Sequence, residues 1–134
     1  FAEREKQKLD DYVARFSPQN IVGCGNVKNR HGALLVGELK PDFIFFGKLA
    51  GDIRPEPHPK NIALAQWWSE LVELSAIVMG GSDLTSVVEC ADTGVEFVGL
   101  AKAVFEHEAG PATAVAEVNR LLDENAPAFD KGDI

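Results

Sequence analysis

Short apolar runs bounded by glycine or polar turn residues alternate along this chain with segments whose apolar residues recur every three or four positions. The first pattern is typical of buried strands and the second of amphipathic helices. The apolar runs predict four strands, at residues 20–24, 43–46, 77–79 and 97–101. The helical spacings predict helices at residues 3–16, 28–39, 61–73 and 111–124, a short one after residue 82, and another after the turn at residue 102. Residues 126–134 are expected to form a frayed tail.

This order of elements predicts an α/β fold. Strands that alternate with helices pair in parallel and are joined by right-handed crossovers. An eight-fold barrel needs about 200 residues or more, so the 134 residues here are expected to form a TIM-barrel-type fold, about half of a (β/α)8 barrel with four parallel strands. A small doubly wound open sheet is the alternative.

Residues 1–134 are therefore interpreted as a single domain, the C-terminal half-barrel of a longer chain, which fits a first residue that is not Met. Four open strands leave two unpaired sheet edges, which folded proteins avoid. We expect either a missing N-terminal half that completes the barrel or a homo-oligomer.

Two turns at strand ends carry the candidate chemistry. Gly80 and Gly81 follow the third strand, with Ser82 placed to cap the next helix, and Lys102 follows the fourth strand. Neighbouring strand-to-helix turns with free backbone N–H groups form a phosphate cradle. A purely structural role for these glycines is the alternative and carries about equal weight.

The loop at residues 48–59 has no periodicity and contains three prolines. A structureless loop of this length is usually functional or mobile. His58 lies in it, but without a visible partner it is expected to be structural rather than an acid–base group. In the helix that follows, Trp68 is expected in the core and the adjacent Trp67 partly exposed, because neighbouring helical residues do not share a face.

Composition narrows the function classes. The net charge of −8 argues against nucleic-acid and anionic-membrane partners, and no apolar run approaches the length of a membrane span. Neither Cys24 nor Cys90 has metal-ligand spacing to another Cys or His. Both are expected to be reduced core thiols in a cytoplasmic protein, and no metal ligands are predicted in this chain.

Four motifs in order resemble the C-terminal half of the thiamine phosphate synthase family of (β/α)8-barrel enzymes, and together they cover nearly all of residues 20–107. The motifs are Ile21-Val22-Gly23-Cys24-Gly25, Asp42-Phe43-Ile44-Phe45-Phe46-Gly47, Gly80-Gly81-Ser82, and the segment from Gly94 to Phe105.

The resemblance implies a transferase that condenses hydroxymethylpyrimidine diphosphate with thiazole phosphate, giving thiamine phosphate and diphosphate, with Mg²⁺ as the cofactor. Its partners would be small phosphorylated substrates. By position in the motifs, the implied phosphate-binding residues are Gly80, Gly81, Ala101 and Lys102. The implied substrate-binding residues are Gly25, Asn26, Gly47 and Lys48.

The chain also departs from the family pattern. The family's Thr-x-Thr-Lys after the second strand here is absent, and Arg54 and Lys60 are the candidates for the catalytic cation. The family's metal-binding aspartates belong to the N-terminal half, so the Mg²⁺ ligands are not expected in this chain. These departures leave two alternatives open: a catalytically lapsed relative that binds a phosphorylated heterocycle, tautomerase-like or regulatory, and another phosphate-binding barrel acting on a sugar or indole phosphate.

Overall fold

A computed structural model describes residues 6–126 of the chain, and within them strands and helices alternate after a first helix. The strands are β1 (Gly23–Cys24), β2 (Phe43–Phe46), β3 (Ala76–Met79) and β4 (Phe97–Gly99). The helices are α1 (Lys6–Phe16), α2 (Arg30–Glu38), α3 (Pro59–Leu71), α4 (Ser86–Asp92), α5 (Lys102–Phe105) and α6 (Pro111–Asn125).

The four strands form one parallel sheet in the order β1-β2-β3-β4. Because this order follows the chain without reversal, right-handed crossovers place the connecting helices on one face of the sheet. The half-barrel prediction is confirmed. The doubly wound alternative is wrong, since that fold reverses its strand order at a switch point.

The two faces of the sheet differ, as the alternation of side chains in β2 shows. Ile44 and Phe46 are fully buried among core residues that include members of α2 and α3. Phe43 and Phe45 point to the opposite face, because successive strand residues alternate. That face lines an apolar cleft of about 550 Å³. We call this surface, which corresponds to the interior of a closed barrel, the open face.

Trp68 anchors the core between the sheet and α3. It is 1% exposed, and its ring lies edge-on to Phe46 with centroids 5.9 Å apart. Its indole Nε1–H donates to the carbonyl of Leu74 at 2.9 Å. Trp67 is only half-buried, with the Arg30 guanidinium 5.3 Å from its ring centroid. Both tryptophan predictions are confirmed.

Several predicted boundaries are wrong. The predicted strand 20–24 is only two residues long, and ahead of it the N–H of Val22 donates to the carboxylate of Asp42 rather than to a strand. Ser82 does not cap α4, because the Asp83 carboxylate accepts from the N–H of Thr85 and delays the helix to Ser86. Residues 3–5 of the first predicted helix and 127–134 of the predicted tail lie outside the described residues.

Both cysteines are buried thiols, as predicted. Burial, with a smaller contribution from the charge of Glu89, raises the pKa of the Cys90 thiol to about 12. This thiol is therefore neutral at physiological pH and behaves as a core residue. No helix in residues 6–126 is both long and apolar enough to cross a membrane.

The adjacent tryptophans allow a matched test of the core. We expect Trp68→Ala to lower the free energy of unfolding by about 3–5 kcal/mol, because it leaves a cavity and an unpaired carbonyl. Trp67→Ala should cost less, about 1–2 kcal/mol, because Trp67 is only half-buried and loses part of its packing against the core together with the cation–π contact to Arg30. Urea denaturation of both variants measures the difference, and equal losses would contradict this core.

Candidate active site

A cleft of about 410 Å³ lies at the carboxyl ends of β1, β2 and β3. It brings together five of the residues predicted for the site. These are Asn26, Gly47, Lys48, Lys60 and Gly80. In parallel sheets, ligands bind outside the carboxyl ends of the strands, so the sequence prediction and the geometry agree on this edge.

The backbone at the strand ends shapes the cleft. Asn26 has φ of 56°, and its N–H donates to the carbonyl of Gly47 at 2.9 Å. Gly47 has φ of 137°, and a Cβ there would lie 2.5 Å from the Cβ of Met79. Only glycine fits this position, since both the dihedral and the contact exclude a side chain. The two turns hold the ends of β1 and β2 together beneath the cleft.

The first turn of α3 forms the other wall. His58 is the N-cap, and its Nδ1 accepts from the N–H of Lys60 at 3.1 Å. The N-terminus of this 13-residue helix and the three lysines that line the cleft, Lys28, Lys48 and Lys60, favour an anion there. His58 therefore has a structural role, as predicted, although it also lines the cleft.

The turn after β3 lies under a loop segment. Residues 52–57, which we call the strap, cross it closely. The N–H of Ser82 donates to the Arg54 carbonyl at 2.7 Å, and the N–H of Asp83 donates to the Pro55 carbonyl at 3.2 Å. A Cβ on Gly81 would overlap that same Pro55 carbonyl. Glycine is thus required at 81 for the strap to pack here.

The turn after β4 is bonded to the same strap. Oδ2 of Asp52 accepts from the N–H of Ala101 at 2.9 Å and from the N–H of Ala103 at 3.0 Å. Asp52 is 1% exposed, and its Oδ1 has no hydrogen-bond partner among residues 6–126. Burial alone would raise the pKa of Asp52, but the N–H groups of Ala103, Ala101 and Lys102 outweigh it and lower the pKa. Asp52 is therefore ionised near neutral pH.

These contacts correct one premise of the phosphate prediction. The N–H groups expected to be free are not: the N–H of Gly80 donates to the Gly99 carbonyl, and the N–H of Gly81 donates to the Ser86 hydroxyl. At the 101–103 turn the N–H groups of Ala101 and Ala103 converge on an anion of the protein itself, the Asp52 carboxylate. The assignment of Gly80, Gly81, Ala101 and Lys102 to phosphate stays a prediction.

Three further predicted residues, Arg54, Gly25 and Lys102, do not line the cleft. The exposed Arg54 belongs to the strap and is outside the cleft lining, and Gly25 lies under the Phe45 ring on the open face. Lys102 lines a separate cavity of about 540 Å³ with Ser82 and His107. Asp52 itself was missed, because a single acidic residue in a loop without periodicity carries no pattern.

The described residues do not fit a Mg²⁺ site. In residues 6–126, no three or more His, Cys, Asp or Glu side chains lie together where they could hold a metal ion. Mg²⁺ is usually bound by one or two carboxylates together with waters and substrate phosphates, and the carboxylates at the two turns, Asp52 and Asp83, already accept hydrogen bonds within the protein. Mg²⁺ stays an expectation from the family resemblance.

The fold, with four parallel strands in chain order, is that of part of a (β/α)-barrel protein. The profile of the thiamine monophosphate synthase family matches residues 3–104, and the chain belongs to that family. It is similar to the thiamine-phosphate synthase of Rhodospirillum centenum, with 31% identity over 103 residues, and to that of Hyphomonas neptunium, with 27% over 114.

These two matches cover 76% and 84% of this chain but 50% and 52% of the relatives. The chain thus spans about half the length of the curated relatives it matches. The crystal structure of the Amycolatopsis orientalis BexX/CysO complex contains a chain with the same fold, at a TM-score of 0.59 and 13% identity. That match covers 93% of this chain and 53% of the other.

The bonds of Asp52 predict a pH-dependent stability. We expect Asp52→Asn to lower the free energy of unfolding by about 2 kcal/mol at pH 7, since it removes a charge that accepts two N–H bonds. Because the folded pKa is below the ordinary 3.8, this contribution is complete above that value and is lost as the pH falls through the folded pKa. The penalty should therefore shrink below about pH 4.

Urea denaturation across this pH range measures the effect. The exposed Asp123 of α6 offers a control, and Asp123→Asn should change stability by less than about 0.5 kcal/mol. A penalty for Asp52→Asn that stays constant with pH would show that the carboxylate charge does not hold the turn.

Proposed function

We propose that this protein acts in thiamine biosynthesis as a thiamine phosphate synthase-type transferase, joining hydroxymethylpyrimidine diphosphate to thiazole phosphate. The observation that carries the proposal is the cleft at the carboxyl ends of β1–β3, where Asn26, Gly47, Lys48, Lys60 and Gly80 meet. Membership of the thiamine monophosphate synthase family supports it.

The reaction is a substitution at the methylene carbon of the pyrimidine. The bond from this carbon to the diphosphate oxygen breaks, and its electron pair leaves with diphosphate. The thiazole nitrogen donates its lone pair to form the new carbon–nitrogen bond. No protein nucleophile is needed, so the protein contributes positioning and electrostatic stabilisation of the leaving group.

Lys60 and Lys48 are proposed to hold the leaving diphosphate. Both line the cleft, and Lys60 stands in the first turn of α3, where the helix dipole adds to its charge. Charge-assisted bonds to phosphate oxygens that strengthen as negative charge develops lower the barrier. Arg54 is exposed on the strap and does not line the cleft, which favours Lys60 for this role.

The thiazole phosphate is proposed to bind at the turns of residues 80–83 and 101–103. The N–H groups of Ala101 and Ala103 converge on one carboxylate oxygen there, and Lys102 adds a positive charge. The N–H groups of residues 80–83 are bonded within the protein in this conformation and would have to be released to a ligand. The heterocycle would then extend over the strand ends towards Asn26 and Gly47. Mg²⁺ as cofactor and a cytoplasmic location are part of the same proposal.

A second half-barrel, supplied by an N-terminal segment or by another copy, is proposed to cover the open face. Phe43 and Phe45 line an apolar cleft there, and Phe97 on the edge strand β4 is 58% exposed. Apolar surface of this kind marks an interaction site, and relatives of about twice the matched length offer the missing strands.

The test is formation of thiamine phosphate from the two substrates with Mg²⁺. The 134-residue chain is assayed alone and co-expressed with the half of the Rhodospirillum centenum relative that it does not match. Turnover in either form supports the proposal. Thiazole phosphate binding without turnover in both forms would favour the catalytically lapsed relative. The absence of both binding and turnover would contradict the transferase and the lapsed relative alike.

The cleft lysine gives a point-mutation test. Lys60→Ala should lower kcat/KM by roughly 10- to 100-fold, as expected for a lost charge-assisted bond to the diphosphate. The control is Lys40→Asn: Lys40 is exposed, precedes β2 at the far edge of the sheet, and has φ of 56°, which Asn tolerates. An unchanged kcat/KM for Lys60→Ala would remove this residue from the catalytic machinery.

A further inference from the structure

The carboxylate of Asp52 is bonded at the turn of residues 101–103, which was predicted to bind the phosphate of a ligand. It is bonded to the N–H groups of Ala101 and Ala103, and burial leaves it 1% exposed. Converging N–H groups at a strand end are the usual partners of phosphate and carboxylate groups. Oδ2 therefore makes the contacts that one oxygen of a phosphate ester would make at this turn.

The other carboxylate oxygen of Asp52, Oδ1, has a different environment from Oδ2. Oδ1 of Asp52 is buried and has no hydrogen-bond partner among the described residues. A buried unpaired carboxylate oxygen costs free energy. An aspartate selected only to close the turn would be expected to satisfy both oxygens, whereas a group that exchanges with a larger anion need not.

The strap carries Asp52 and reaches both phosphate turns. Its Arg54 and Pro55 carbonyls accept from Ser82 and Asp83 at one turn, while Asp52 accepts at the other. A phosphate at the 101–103 turn and the Asp52 carboxylate cannot share the same N–H groups. Two anions placed side by side at these N–H groups would also repel each other strongly in a buried site.

We propose that Asp52 is a specificity-determining residue that competes with the phosphate group of the ligand for the N–H groups of residues 101–103. A phosphate ester binds only when the strap withdraws Asp52 from the turn. A cavity of about 540 Å³ adjoins the turn at Ala103, lined by Ser82, Lys102 and His107 and also by Glu106 and Glu108. This inference rests on the proposed phosphate turns and adds the residue that limits their affinity.

The test compares inorganic phosphate binding by the parent protein, Asp52→Asn and Asp42→Asn, with chloride keeping the ionic strength equal. Asp42 is the matched control, because its carboxylate also accepts a backbone N–H, that of Val22 at 2.7 Å, but ahead of β2 at the opposite edge of the sheet. Calorimetry gives the affinity, and amide NMR shifts of residues 81–83 and 101–103 give the place of binding.

We expect Asp52→Asn to bind phosphate about tenfold more tightly or better, because the internal competitor loses its charge. Asp42→Asn should lose stability without gaining affinity. A purely structural Asp52 would also lose stability on mutation but would not gain affinity. A folded Asp52→Asn protein that binds phosphate no better than the parent overturns the proposal.

Should Asp52→Asn fail to fold, the parent protein decides the matter. Saturating phosphate should shift the amide signals of Ala101 and Ala103 together with the side-chain carbonyl carbon of Asp52, and should speed hydrogen exchange at Ser82 and Asp83 as the strap withdraws. Phosphate that leaves these signals unmoved overturns the proposal.

Different results would contradict the proposed transferase reaction and the proposed competition between Asp52 and phosphate. Tighter phosphate binding by Asp52→Asn without any thiamine phosphate formation would leave Asp52 as the competitor and remove the proposed transferase reaction. Turnover by the parent, with phosphate affinity unchanged in Asp52→Asn, would support the reaction and remove the role of Asp52.

Discussion

The constraint on which this structure depends is the one-directional order of its parallel strands. Each crossover advances one strand along the sheet, and right-handed connections keep the helices on one face. All four carboxyl ends therefore meet at one edge, and the face opposite the helices is the open face, which we propose a second half-barrel covers. This strand order therefore determines where the cleft, the core and the open face lie. Trp68 and Phe46 fix the helices against the sheet, so the strand ends are held in place.

Electrostatics at this edge are set by backbone groups more than by side chains. The chain has a net charge of −8, yet the turn after β4 directs the N–H groups of Ala101 and Ala103 towards one point, Oδ2 of Asp52. Asp52 uses these groups internally, and its lowered pKa keeps it ionised. On our proposal, this acidic protein binds phosphate locally once its own carboxylate is displaced.

Sequence periodicity was sufficient for the architecture and insufficient for the site. The buried strand Phe43–Phe46 and the helix around Trp68 were predictable, because apolar spacing reports burial directly. The turn residues Gly47 and Gly81 were predictable as glycines at strand ends, but not the contacts with Met79 and Pro55 that require them. Asp52 was not predictable, because its role depends on a contact across 49 residues of sequence.

The most direct measurement is a crystal structure of the protein with thiazole phosphate bound. The account predicts the phosphate at the N–H groups of Ala101 and Ala103, with Asp52 withdrawn and the heterocycle over the cleft of Lys48 and Lys60. A phosphate bound elsewhere, with the Asp52 carboxylate still bonded to both N–H groups, would contradict it.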